Sequence, residues 1–140
     1  MSEEEAAGDA VDGVLTKRSP FSVSDTVTRL CSQIAARGMR VFAVIDHGGE
    51  AHRAGLELRE TQVVIFGSPV AGTPVMVAAA LAALDLPLRV LIWADGPTTK
   101  LSYTAPQTLA ARYGLTEEMA GRLAGIDALT DAVVDGSAAP

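Results

Sequence analysis

Val27, Leu30, Cys31 and Ile34 recur at three- and four-residue intervals, the spacing that gathers side chains on one face of a helix. Ser22 or Ser24 can cap the start of that helix and Gly38 can close it. Outside it the period shortens. Residues 12–18 are a weak strand candidate, while "MRVFAVID" (39–46), "TQVVIFG" (61–67) and "LPLRVLIWAD" (86–95) are β-rich apolar runs. "TTKLSYT" (98–104) alternates as a half-exposed strand does, and Gly96-Pro97 supplies the turn that predicts a hairpin with the run before it. One helical turn is expected around Ala51–Ala54. After a break at "SPVAG", Thr73 as N-cap and Pro74 at the first helical position predict a helix through "TPVMVAAALAAL". "PQTLAARYGL" and "TEEMAGRLAGIDALTDAVV" predict two closing helices, the second burying Met119, Leu123, Ile126 and Val133.

Strands interleaved with helices, a hairpin and paired helices at the end imply an α+β domain in which helices cover a sheet. The chain of 140 residues, 49% hydrophobic, suits one such domain at 12–134, between an acidic tail at 1–11 and a frayed tail at 135–140. "MSEEEAAGDA" has neither a basic n-region nor an apolar h-region, so it reads as a solvated tail and not as a signal peptide. A net charge of −6 without a Lys/Arg block argues against nucleic acid and anionic lipid as partners. The longest apolar stretch, 75–84, is followed by Asp85 and Pro87 and falls short of the roughly 20 residues of a membrane span. A lone cysteine, Cys31, excludes an internal disulfide and suits a reducing compartment, so a cytoplasmic location is expected. Cys31 itself reads as a small buried hydrophobe.

Two stretches carry candidate chemistry. "AVIDHGGEAHRAG" (43–55) holds Asp46, His47, Glu50 and both histidines of the chain. His47 and His52 are five apart and fall on different faces of a helix, unlike the two histidines of H-E-x-x-H, so no metal site is expected. Asp46 and His47 can serve as an acid/base pair if the chain turns sharply there; alternatively Asp46 stabilises the turn and His47 is partly exposed. His52 reads as a surface residue. The second stretch, "FGSPVAGTP", places Gly67, Ser68, Pro69, Gly72 and Thr73 between a strand and a helix, where backbone amides can hold an anion or a polarised carbonyl. It lacks a Walker lysine and does not match G-x-G-x-x-G, so no nucleotide cofactor is expected; the alternative is a tight turn and nothing more. The connection from Asp46 to Thr61 is long enough for a parallel crossover, which would bring both stretches into one cleft. Antiparallel pairing would defeat that construction. Trp93 and Tyr103, on the two arms of the hairpin, offer a flat surface for a small ligand or a dimer contact, or simply pack; Lys100, in the same strand, can pair with an anionic ligand but reads as solvated.

In order and spacing, "SDTVTRLCSQIAARGMRVFAVIDH", "AGLELRETQVVIFGSPVAGTPVM", "LDLPLRVLIWAD" and "LSYTAPQTLAARYGL" resemble the DUF302 domain, the TT1751-like family, from about Phe21 to Leu115. The resemblance implies an α+β fold with a curved mixed sheet covered by helices, a homodimer as the usual assembly, and an activity largely uncharacterised. The family's recurrent polar positions fall on Asp46, His47, Gly67, Pro69, Gly72 and Thr73. Ser68 stands where the family usually has Asn, which keeps a hydroxyl but loses the amide's second donor and its reach.

No nucleophile, metal set or cofactor fingerprint is present, so the sequence reads as a small-molecule-binding homodimer using Asp46-His47 and the Gly67–Thr73 loop. The alternative is a cofactor-independent isomerase, cyclase or hydratase with His47 as general acid/base and loop amides holding an oxyanion. A purely structural or interaction module is the third reading.

Overall fold

The computed structural model describes residues 10–137; nearly all of the expected acidic tail and the last three residues of the expected closing tail lie outside that range. The elements are β1 (Val14–Ser19), α1 (Val23–Ala36), β2 (Arg40–Asp46), α2 (His47–Arg53), β3 (Thr61–Gly67), α3 (Pro69–Ala78), a 3-10 helix (Ala80–Asp85), β4 (Leu88–Asp95), β5 (Thr98–Thr104), α4 (Pro106–Tyr113), α5 (Glu117–Leu123) and α6 (Gly125–Val133). The strands form one sheet in the order β1-β5-β4-β3-β2. Among the described residues every pairing is antiparallel, so the parallel component of the expected mixed sheet does not occur there.

α1 forms as its pattern predicts. The Ser22 hydroxyl accepts a hydrogen bond from the Asp25 amide at 3.0 Å, and Gly38, at φ 74°, takes the left-handed turn that ends the helix. Its inner face, Val23, Val27, Leu30 and Ile34, packs with α6's Ile126, Leu129 and Val133 onto Val64, Phe66, Val90, Ile92, Leu101 and Tyr103 of the sheet. Fully burying a side chain such as Leu30 contributes about 1.5–3 kcal/mol, so this layer holds the strands in place. Cys31 lies at the margin of the layer, half-buried, and that burial pushes its thiol up. Alternation sends Val63, Ile65, Leu91 and Trp93 to the other face.

Two expected helices differ from their patterns. α3 starts five residues early: Ser68 takes the N-cap position, Pro69 is the first helical residue, and Gly72, Thr73 and Pro74 lie inside. Pro69 suits that place because its fixed φ is helical and its missing N–H is one the first turn does not use. The chain then extends at Ala79 and resumes as the 3-10 helix, which turns Ala82 into a second cluster with Val75, Leu109 and Leu123. Likewise the long closing helix is two, α5 and α6, meeting at Ala124 between Gly121 and Gly125, whose low helix propensity weakens the junction. Leu123 consequently faces the second cluster while Ile126 and Val133 face the first.

Candidate functional site

Antiparallel pairing separates the two stretches expected to share a cleft. Asp46 stands opposite Gln62, and Gly67 stands opposite Arg40, so the two stretches lie at opposite ends of the β2–β3 ladder. Six strand residues at about 3.3 Å each put roughly 20 Å between them, farther than one small ligand can bridge. The shared cleft of Asp46-His47 with the Gly67–Thr73 loop is therefore overturned. With it goes the mechanism that needed His47 and the loop amides on one substrate. The crossover that sequence length permitted is filled instead by α2 and the exposed segment 54–60, which return the chain to the same end of the sheet.

Asp46 has a local role. Its Oδ1 accepts a hydrogen bond from the Gly49 amide at 2.9 Å, capping α2. A Cβ on Gly49 would collide with the same carboxylate, which explains the glycine. His47 is the first residue of α2 and exposed, and His52, in its last turn, is exposed as well. An open hollow of about 410 Å³ beside α2 is lined by His52 and Arg59 but not by His47. Among the described residues no three His, Cys, Asp or Glu side chains come together in a metal-binding group.

The Gly67–Thr73 stretch, by contrast, lines an apolar pocket of about 230 Å³. Gly67, Ser68, Pro69, Gly72 and Thr73 form one wall; Phe42 from β2, Met76 from α3, Leu86 and Pro87 before β4, Leu88 at its start, and Arg122 and Leu123 from α5 complete it. Sequence reasoning missed this second set. Phe42 is there because the β2–β3 register slips between Val41 and Ala43, and a bulge re-aims the residue it leaves unpaired. The break of strict alternation in "RVFAVID" was the available signal. Gly67 keeps the wall thin, since a Cβ there would sit 3.5 Å from Pro87 and 3.9 Å from Phe42. The Ser68 hydroxyl makes no capping bond to α3. Arg122 is the charged residue in the lining, and the Glu118 carboxylate lies 3.8 Å from its guanidinium, one turn back on α5.

The aromatic surface expected from Trp93 and Tyr103 does not form. Trp93 stands opposite Lys100, so both point to one side of the sheet, and Tyr103, three residues on, points to the other. Tyr103 is buried under α6 and donates to Asp127 Oδ1, while Trp93 Nε1 donates to the Ser102 hydroxyl at 3.0 Å. Burial, then the bond to Asp127, raises the Tyr103 phenol above its ordinary value. Lys100 is buried and not solvated; its ammonium lies 2.7 Å from Asp95 and 5.5 Å from the Trp93 ring centre. These groups hold β4 to β5, and neither Trp93 nor Tyr103 lines either of the two hollows described above.

One further charged cluster borders the second core. Asp85, at the end of the 3-10 helix, accepts hydrogen bonds from the Tyr113 hydroxyl and from Arg112, the latter at 2.7 Å. The Tyr113 bond first, and the Arg112 charge after it, hold the Asp85 carboxyl below the ordinary aspartate value. The cluster ties α4 to the segment that follows α3 and so fixes one side of the pocket's frame.

The comparisons with known proteins fit this architecture. Two curated relatives are each 40% identical over 104 residues: "Fluoride-specific ion channel FluC 1" of Brucella suis and a protein of the same name from Brucella abortus. The match covers 74% of this chain but only 41% and 38% of theirs, so the chain spans about two fifths of the relatives' length. No helix among the described residues is long and apolar enough to cross a membrane. The fold is similar to that in "Crystal structure of uncharacterized conserved protein DUF302 from Bacillus stearothermophilus", with a TM-score of 0.76, 17% identity, and coverage of 89% of this chain and 98% of that one. The family described as "Domain of unknown function DUF302" matches residues 15–133, and the chain belongs to it.

Proposed function

We propose that this chain is a small-molecule-binding module, a homodimer acting in the cytoplasm, whose site is the pocket between Phe42, the Gly67–Thr73 stretch, Leu86–Leu88 and α5. The observation that carries this reading is the pocket itself: a mostly apolar concavity with a few polar groups, Ser68, Thr73 and Arg122, on its wall. Its volume of about 230 Å³ lies below the roughly 300–1,000 Å³ usual for drug-sized ligands, so the occupant is smaller. Binding suits the site better than catalysis, because the chain's histidines do not line it. The relatives named as fluoride-specific ion channels carry a similar segment within longer chains. A module attached to a channel needs only occupancy to act, since a ligand that prefers one state shifts the equilibrium of whatever it is coupled to.

The reading is tested by titrating isotope-labelled protein with hexan-1-ol and with hexanoate and following the backbone amides by NMR. The Gly67, Gly72 and Met76 amides are expected to shift together and saturably. Shifts confined to Gly48 and Arg59, or none at all, would remove the pocket as the site. Light scattering at micromolar concentration is expected to give twice the chain mass; a monomer at every concentration would refute the dimer.

A further inference from the structure

Building on the pocket as the binding site, we infer that its ligand is a small amphipathic monocarboxylate, with its apolar body inside and its carboxylate held by Arg122 and the Ser68 hydroxyl. The sign of the charge follows from the lining. Arg122 is the charged side chain the pocket presents, and no carboxylate lines it. A cationic head would meet a guanidinium there, and a neutral head would forgo the charge-assisted hydrogen bonds that a carboxylate gains from it.

Arg122 is equipped for the role. Its side chain is 36% exposed, so part of its hydration is already lost, while Glu118 at 3.8 Å is too far for a tight hydrogen bond. By contrast Arg112, on the neighbouring α4, is hydrogen-bonded to Asp85 at 2.7 Å. A planar guanidinium matches a carboxylate with two parallel N–H bonds. Ser68 adds a second donor. It occupies the N-cap position of α3 yet makes no capping bond, so its hydroxyl is available to the pocket it lines.

Size and charge narrow the class further. An apolar cavity of about 150 Å³ accepts a benzene ring, so 230 Å³ takes a six-carbon chain or a ring bearing one small head group. One guanidinium balances one negative charge. A phosphate monoester carries about −1.5 to −2 near neutral pH and would bring charge into an apolar wall with no second cation to meet it. A monocarboxylate is thus favoured over an alkyl phosphate of equal length.

The experiment compares hexanoate, hexan-1-ol and hexyl phosphate by calorimetry and NMR on the full chain and three variants. Hexanoate is expected to bind about tenfold more tightly than hexan-1-ol, with hexyl phosphate weaker than hexanoate. Arg122→Gln should bring hexanoate and hexan-1-ol to within about twofold of each other, through loss of hexanoate affinity. Arg122→Lys, which keeps the charge without the fork, should fall between. Glu118→Gln should tighten hexanoate by about twofold, because it removes the competing carboxylate. Arg122 and Glu118 are exposed on α5, so each variant is expected to fold, and its thermal melting transition checks that it has. Equal binding of acid and alcohol to the native chain, tighter binding of hexyl phosphate, or a preference that survives Arg122→Gln would overturn the carboxylate assignment and leave the pocket standing. Failure of all three probes to bind would overturn both.

Discussion

Gly67 stands opposite Arg40 in the β2–β3 ladder, at the far end from Asp46, which stands opposite Gln62. This one register relation makes the pocket and His47 independent sites. His47→Ala is accordingly expected to leave hexanoate affinity within about twofold of the native value. Gly67→Val is expected to weaken it more than about tenfold, because a Cβ there would already touch Pro87 at 3.5 Å and Phe42 at 3.9 Å, and the two further methyl groups would take up space the ligand needs. Calorimetric titration reads both. A loss on His47→Ala equal to that on Gly67→Val would show the two ends to be coupled after all.

Asp46 is a helix cap in this structure, and a cap has its own signature. Asp46→Ala is expected to destabilise the fold by about 1 kcal/mol, whereas Asp46→Asn, which keeps an oxygen for the Gly49 amide, should cost a few tenths at most. Urea denaturation curves distinguish the two. Equal losses from both variants would point to the charge and not the cap.

The elements were legible where a single period dominates. α1 reads off Val27, Leu30 and Ile34, and the four strands from 39 onward read off their β-rich runs, because packing there follows the local pattern. Register was not legible. Antiparallel and parallel return of β3 both satisfy a buried "TQVVIFG", and the choice depends on α2 and residues 54–60, which bury no α2 side chain and so leave no apolar signature. α3 was misplaced for a different reason. Two prolines, Pro69 and Pro74, both suit a first helical turn, and the glycine between them resembled a break. Half of the candidate site, the Gly67–Thr73 stretch, was singled out by its glycines and prolines. The opposing half, Phe42 and Arg122, came from a bulge and a helix far along the chain, which no local pattern announces.

Gly72 illustrates the consequence. As a loop residue before a helix it would need freedom that only glycine has; inside α3 its φ is not positive, and a Cβ would meet only Met76 Cε, at 4.0 Å. Gly72→Ala is therefore expected to stabilise the protein by about 0.5–1 kcal/mol through helix propensity. The melting temperature should rise by several degrees in thermal scans. A fall would mean that the position needs glycine for the pocket's frame.

Acid stability provides the last test, through Asp85. Its carboxyl, with the hydrogen bond from Tyr113 first and the Arg112 charge after it, is held below the ordinary aspartate value of 3.8. A group whose folded value is depressed binds its proton less readily in the folded state, so it stabilises the fold fully above the unfolded value and loses that contribution as pH falls through the folded one. The window therefore opens near about pH 4 and extends downward. The carboxylate is 35% exposed, so solvent screens much of the interaction, and the effect is a change of slope and not a collapse. Asp85→Asn should lower the melting temperature modestly at neutral pH and narrow its deficit against the native protein as pH falls below about 4, where the native Asp85 is itself protonated. Tyr113→Phe should do the same in smaller degree, since it removes the first of the two partners and leaves Arg112 in place. Parallel melting curves for native protein and Asp85→Asn, with the same deficit at acid and neutral pH, would show that Asp85 contributes nothing through its charge.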